Sequence, residues 1–91
     1  MSAEVKELGL TGQDFVMFST DWCGYCKRLK SQLNENGITF REINVEQEMN
    51  YASFVEKVNG GNRVVPTLLF SDGAALTNPS VIAVKDKLAA L

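Results

Sequence analysis

Phe15-Val16-Met17-Phe18-Ser19 is an apolar run without a polar face, too short for a helix. The pattern predicts a buried central strand. Thr20-Asp21-Trp22 breaks it, and Cys23-Gly24-Tyr25-Cys26 leads into a helix over residues 27–36. Basic residues take one side of that helix, and Cys26, Leu29 and Leu33 the other, with Gly37 in the position just past its end. Residues 38–44 alternate and predict a second strand. Two strands joined by a helix over this span make a right-handed βαβ unit with parallel strands. Further on, Tyr51, Phe54, Val55 and Val58 fall at i, i+3, i+4 and i+7, one stripe on a helix that ends before Asn59-Gly60-Gly61-Asn62. Residues 64–70 read as a strand with Pro66 near its start, Ser71-Asp72-Gly73 as a hairpin turn, and residues 74–77 as a short return strand. Asn78 is suited to cap a last helix with Pro79 at its first position, and Val81, Val84, Leu88 and Leu91 form its apolar stripe. The predicted order is β-α-β-α-β-β-α. Residues 1–14 form an N-terminal extension where Val5, Leu8 and Leu10 pack as a short extra turn or a frayed edge.

Composition narrows the functional classes. A chain of 91 residues has room for one domain, residues 1–91, and one core. Nine basic against eleven acidic residues give a net charge of −2 and a pI near 5.0. That weighs against nucleic acid as a partner, since phosphate binding needs a concentrated basic face. No apolar run approaches the roughly 20 residues of a membrane span, and Met1-Ser2-Ala3-Glu4 lacks a secretory signature. The expected location is the cytoplasm, away from membranes. The absence of histidine removes the commonest general base and metal ligand.

The chain has two cysteines, Cys23 and Cys26, spaced C-x-x-C. In a reducing compartment such a pair is redox-active, shares a metal or cluster, or is inert. A structural staple is a weak reading, because so short a loop removes little unfolded-state entropy. A zinc site or a four-thiolate cluster needs about four ligands, so either would require outside donors.

Trp22-Cys23-Gly24-Tyr25-Cys26, placed where the first strand turns into the first helix and followed by Val65-Pro66-Thr67, resembles the glutaredoxin-sized thioredoxin fold from about residue 15 onward. That resemblance implies an α/β fold with a four-stranded mixed sheet and helices on both faces. Three segments are similar to the mycoredoxins, glutaredoxin-like proteins of bacteria that make mycothiol. They are Trp22-Cys23-Gly24-Tyr25-Cys26 with Arg28-Leu29-Lys30, Val58-Asn59-Gly60-Gly61-Asn62-Arg63, and Leu76-Thr77-Asn78-Pro79-Ser80.

On this reading Cys23 is the nucleophile. It precedes a helix, so unpaired N–H groups and the positive end of the helix dipole favour its thiolate, while Cys26, one turn in, is more buried and stays a thiol. Lowering a thiol pKa from about 8.5 to about 6 raises its thiolate fraction some 30-fold at pH 7, but lost nucleophilicity takes back roughly 13-fold. The larger benefit is a sulfur that leaves faster when a second thiol attacks its mixed disulfide. Pro66 resembles the cis-proline that faces the active cysteine in this fold, which turns the backbone of Val65 toward an extended substrate. Trp22, Tyr25, Val65, Pro66, Thr77 and Asn78 are the substrate-binding residues that the resemblance implies.

Ordinary glutaredoxins carry a Gly-Gly pair before the last helix, where glutathione's carboxylate sits on backbone N–H groups. Here Pro79 deletes one such group and Asn78, as cap, occupies another, which weakens an anion site. Mycothiol has hydroxyls in place of that carboxylate, which Thr77, Asn78 and Ser80 suit. The resemblance therefore implies a monomeric thiol–disulfide oxidoreductase acting on S-mycothiolated proteins. It uses mycothiol as co-substrate, depends indirectly on mycothiol disulfide reductase, and needs no organic cofactor and no metal. Two alternatives are a dithiol electron donor reduced by thioredoxin reductase and a dimeric iron–sulfur carrier.

Overall fold

The computed structural model describes residues 3–91. Its elements are α1 (Ala3–Leu8), β1 (Phe15–Ser19), α2 (Gly24–Glu35), β2 (Arg41–Asn44), α3 (Met49–Val58), β3 (Thr67–Phe70), β4 (Ala75–Thr77) and α4 (Val81–Ala89). All five residues of β1 are buried, as the unbroken apolar run requires. The sheet order is β2-β1-β3-β4, with β1 parallel to β2 and antiparallel to β3, and β3 antiparallel to β4. This is the four-stranded mixed sheet of the thioredoxin-like α/β class.

The pleat of β1 divides the core. Val16 and Phe18 join Ile43, Leu69, Tyr51, Phe54 and Val55 on the face covered by α1 and α3. Phe15 and Met17 join Leu68, Phe70, Leu29, Leu33 and Val84 on the face covered by α2 and α4. Aromatic pairs tighten both: Phe18 lies 5.5 Å from Phe54 between ring centroids, and Phe15 5.2 Å from Phe70.

Several predicted boundaries move, each for a local reason. The N-terminal extension contains a helix, α1, which buries Val5 and leads to the buried Leu10, so the observed order is α-β-α-β-α-β-β-α. Positions 1 and 2 of that extension lie outside the described residues. The strand predicted over 38–44 starts at Arg41. Ile38 is unavailable to a ladder because its N–H bonds the Leu33 carbonyl at 2.9 Å while Gly37 N–H bonds Asn34, closing α2 around Gly37 at φ +67°. Val58, read as part of the α3 stripe, is 40% exposed at the last helical position, and Ala52 packs in the core instead. β3 begins only after Pro66, which has no N–H to give a ladder and whose carbonyl accepts from Asn78 N–H at 2.7 Å. Ala74 belongs to the turn, its carbonyl bonded to Phe70 N–H, so β4 starts one residue later than predicted.

The last helix is capped differently from the prediction. Ser80 is the N-cap, with extended φ −73° and ψ 160°, and its Oγ accepts from Ala83 N–H. Asn78 sits in the left-handed region at φ +46°, held there by its bond to the Pro66 carbonyl. Pro79 therefore precedes the cap and removes no N–H from α4. Val84 is buried, Val81 and Leu88 pack partly against the core, and Leu91 is exposed at the end.

Candidate active site

Thr20, Asp21 and Trp22 carry the chain from the end of β1 to Cys23, which serves as the N-cap of α2. Its backbone is extended, and its Sγ accepts from Cys26 N–H at 3.0 Å. A sulfur therefore takes the place that a Ser or Asp oxygen usually fills at a helix start. Asp21 is braced by Asn44 Nδ2 at 2.8 Å, and Asn44 Oδ1 in turn accepts from Glu46 N–H. Trp22 Nε1 donates to Glu46 Oε2 at 3.1 Å, while its ring is 70% exposed beside the site. Tyr25 is exposed likewise.

Cys23 and Cys26 are joined as a disulfide. Both are buried, at 4% and 2% exposure, so the expected contrast between an open Cys23 and a buried Cys26 is slight in this state. The Val65–Pro66 peptide is cis, and the Val65 carbonyl oxygen lies 3.6 Å from Cys23 Sγ. The Val65 carbonyl is therefore the group that faces Cys23 Sγ, and Pro66 follows it across the cis bond. Lys27 and Arg28 are exposed on α2.

Thr77 is differently employed than the sequence suggests. Its hydroxyl donates to Asn59 Oδ1 at 2.6 Å, and Asn59 Nδ2 reaches Thr67 Oγ1 at 3.1 Å and the Val55 carbonyl at 2.8 Å. Thr67 Oγ1 in turn donates to the Val64 carbonyl at 2.8 Å. Asn59 therefore ties the end of α3, the segment carrying Val65 and Pro66, and the end of β4 into one unit. Sequence reasoning read Asn59 only as part of a helix stop; nothing in its spacing announces a partner eighteen residues on.

Asn78 lines a groove of about 430 Å³ between α2 and the start of α4, with Tyr25, Arg28, Gln32, Ser80 and Ile82 among its other walls. Among the described residues, no group of three or more His, Cys, Asp or Glu is gathered to hold a metal ion. No helix among them is long and apolar enough to cross a membrane.

The sequence model of the family described as Glutaredoxin matches residues 15–74. The chain belongs to the glutaredoxin family. Its chemistry is that of a glutaredoxin-like thiol–disulfide oxidoreductase. A glutaredoxin-type protein of Mycobacterium tuberculosis is 53% identical over 72 residues, covering 79% of this chain and 86% of the relative. Mycoredoxin 1 of Corynebacterium glutamicum is 41% identical over 75 residues, covering 82% of this chain and 92% of the relative. This glutaredoxin is accordingly mycoredoxin-like, as its motifs suggest. Among solved structures, wheat glutaredoxin superposes with a TM-score of 0.69 at 26% identity, over 97% of this chain and 86% of that one. The glutaredoxin of Methanosarcina mazei Go1 shares the fold with the same TM-score, over 87% of this chain and 84% of that one, at 22% identity. Thr77 and Asn78 lie beyond the stretch matched by the family model.

Proposed function

We propose that this glutaredoxin reduces mixed disulfides between proteins and mycothiol, with Cys23 as the nucleophile. The observation that carries the reading is Cys23 at the N-cap of α2, its sulfur accepting from Cys26 N–H and facing the Val65 carbonyl. When Cys23 is reduced to a thiolate, the same N–H donates to a charged acceptor, an interaction worth about 1.5–3 kcal/mol. The helix N-terminus adds about 0.3–1 kcal/mol more. The thiolate attacks the mycothiol sulfur of the mixed disulfide; the Cys23–mycothiol bond forms, and the protein thiol leaves with the electron pair. A second mycothiol then attacks that adduct, regenerating Cys23 and giving mycothiol disulfide, which the cell's mycothiol disulfide reductase returns to thiol. Electrons arrive through mycothiol, so the cycle calls for no organic cofactor and no metal, and it suits a monomer in the reducing cytoplasm.

Identity to Mycoredoxin 1 supports mycothiol as the small thiol. On this reading the groove lined by Tyr25 and Asn78 takes its sugar headgroup, Val65 lies at the reacting sulfur, and the exposed Trp22 and Tyr25 meet the substrate. Turnover of mycothiol and glutathione mixed disulfides on the same protein, side by side, tests the preference. The expected result is a higher kcat/KM with mycothiol; equal values overturn it. Cys23→Ser is expected to abolish both, and residual turnover above a few per cent rejects the nucleophile.

The disulfide between Cys23 and Cys26 favours a second, two-cysteine branch in which Cys26 resolves the adduct internally. A dithiol donor working only by that branch loses all activity in Cys26→Ser.

A further inference from the structure

β1 and β2 run parallel and end together: Ser19 is in register with Asn44, and Val45 N–H bonds the Ser19 carbonyl at 3.0 Å. Beyond that bond the two chains separate. One runs through Thr20, Asp21 and Trp22 to Cys23, and the other through Glu46 and Gln47 toward α3. A loop that has left its sheet has no ladder to fix its course, so turns and side chains must do it.

Asn44 stands at the point of separation and bonds to both loops. Its Nδ2 donates to Asp21 Oδ1 at 2.8 Å, and its Oδ1 accepts from Glu46 N–H at 2.9 Å. The second bond is local, of the kind an Asn side chain readily makes to the backbone two residues on. The first crosses from one loop to the other. Glu46 then returns the link, since its Oε2 accepts from Trp22 Nε1 at 3.1 Å. Asp21, Asn44, Glu46 and Trp22 thus close a circuit of hydrogen bonds, and two of its members directly precede Cys23. Within the loop, the backbone bond from Cys23 N–H to the Thr20 carbonyl is a long one, at 3.3 Å.

Access to Cys23 is narrow, because the residue is 4% exposed while the Trp22 ring beside it in sequence is 70% exposed. Attack requires the reacting atoms about 3–3.5 Å apart and aligned. An indole released from Glu46 lowers its free energy by covering neighbouring apolar surface. A small movement of this loop therefore changes what reaches the sulfur.

We propose that Asn44 is a positioning residue for the attack by Cys23, acting through Asp21 and Trp22. The inference rests on the reading that Cys23 is the nucleophile. Asn44 raises the fraction of molecules whose loop stands in the reactive arrangement. When the cross-link is lost, that fraction falls by at most the worth of the bond, and the rate falls with it. Both bonds of the Asn44 side chain reach solvent. The expected loss is therefore that of one net hydrogen bond, about 2- to 13-fold, and not the hundredfold or more of a removed general base. The role needs a donor and an acceptor on one short side chain, which Asn supplies and an ionised Asp does not.

The test uses the reduced full chain carrying Cys26→Ser as parent, so that the first attack is the step observed. The probe is bis(2-hydroxyethyl) disulfide, which has no headgroup. The Cys23 thiolate bonds to one probe sulfur, and 2-mercaptoethanol leaves with the electron pair; acid quench and mass spectrometry follow the adduct. If the parent forms no adduct, the reading of Cys23 fails and this inference with it. If the adduct forms, the Asn44 variants decide the inference alone. Asn44→Asp keeps the shape and the acceptor for Glu46 N–H but sets a carboxylate against Asp21. It is expected to slow adduct formation by about 2- to 13-fold at a temperature where circular dichroism shows it folded. Adding Asp21→Asn restores the bond with donor and acceptor exchanged, and is expected to bring the rate back to within about twofold of the parent. Trp22 is the single tryptophan of the chain, so its fluorescence anisotropy decay reports on the circuit directly. Asn44→Asp is expected to raise the amplitude of fast indole motion, and the exchanged pair to remove the rise. Should Asn44→Asp not fold, Asp21→Ala deletes the same bond at an exposed position, with the same slowing expected. A rate within about twofold of the parent in the bond-breaking variant, no recovery in the exchanged pair, or unchanged indole motion overturns the positioning role.

Discussion

Asn59→Ala removes a side chain that touches no reacting atom and still bears on the site. Three hydrogen bonds disappear, and they are not worth the same. The one from Thr77 Oγ1 joins an exposed hydroxyl, so water replaces Asn59 and its loss costs little. The other two are part-buried. At the end of α3 the Asn59 N–H bonds the Glu56 carbonyl, leaving the Val55 carbonyl to the Asn59 side chain. Thr67 is fully buried and keeps its donor bond to Val64 but loses the partner that fixes it to α3. At about 1 kcal/mol for each part-buried bond, the variant is destabilised by about 2 kcal/mol. For a domain of this size that is a fall in Tm of roughly 8–16 °C. Thermal unfolding by circular dichroism measures it, and Asn62→Ala, which loses one long exposed contact of 3.5 Å, is the control. The segment carrying Val65 is also freed from α3 on one side, so reaction of Cys23 with bis(2-hydroxyethyl) disulfide is expected to slow at temperatures where the variant is fully folded. A Tm within about 3 °C of wild type, far below that range, refutes the network as a stabilising unit. A large drop in Tm with unchanged reactivity refutes its role in holding Val65 against Cys23.

Cys26→Ser is expected to keep or raise turnover of small-thiol mixed disulfides while losing reduction of protein disulfides that lack the small thiol, measured with both substrates on one preparation. Ser80→Ala should cost about 1 kcal/mol in urea unfolding through the lost cap, whereas Asn78→Gly, suited to the same positive φ, should leave stability nearly unchanged. That same Asn78→Gly is expected to lower kcat/KM for mycothiol mixed disulfides by about 2- to 13-fold, the worth of one hydrogen bond, and to spare bis(2-hydroxyethyl) disulfide. The Asp72 carboxyl is held below its ordinary 3.8 by the hydrogen bond from Lys87, then by that from Ala74 N–H. Its contribution to stability is present above that ordinary value and lost as pH falls through the lowered one. Asp72→Asn should therefore flatten the acid limb of stability in urea unfolding followed against pH; an unchanged limb rejects the pairing.

What the sequence made legible was whatever repeats or punctuates locally. The apolar run of β1, the stripes of α2 and α3, Gly37 after α2 and the turn at Gly73 are each written within a few residues, and each is observed within a residue or three. The Cys23–Cys26 spacing was legible because a helix start is a local event. Boundaries failed where a distant partner decided them. Ile38 left the strand to close α2, and Asn78 gave up the cap because its N–H is bonded across to Pro66. Thr77 and Asn59 met only because β4 lies beside the segment that follows α3.

Moving the cap from Asn78 to Ser80 changes what a small thiol meets at α4. With Asn78 as cap and Pro79 as the first helical residue, the helix would have lost part of its anion site, and that loss alone would have disfavoured a carboxylate. With Ser80 as cap, its Oγ takes Ala83 N–H and its carbonyl takes Val84 N–H. The N–H groups of Val81 and Ile82 stay free of these bonds, at the groove. A deleted donor therefore does not account for a preference for mycothiol. On the proposed function, selection rests on the side chains of the groove, where Asn78 has a specific advantage. Its backbone is fixed by Pro66, so its amide is held at the groove beside the exposed Tyr25 with part of its ordering cost already met by the fold. A hydroxyl-rich headgroup uses both the donor and the acceptor of that amide, whereas a carboxylate uses only the donor. Comparing mycothiol and glutathione substrates across Asn78→Gly therefore tests the selectivity: a loss confined to mycothiol assigns it to this side chain, and an equal loss shows that Asn78 does not discriminate between the two.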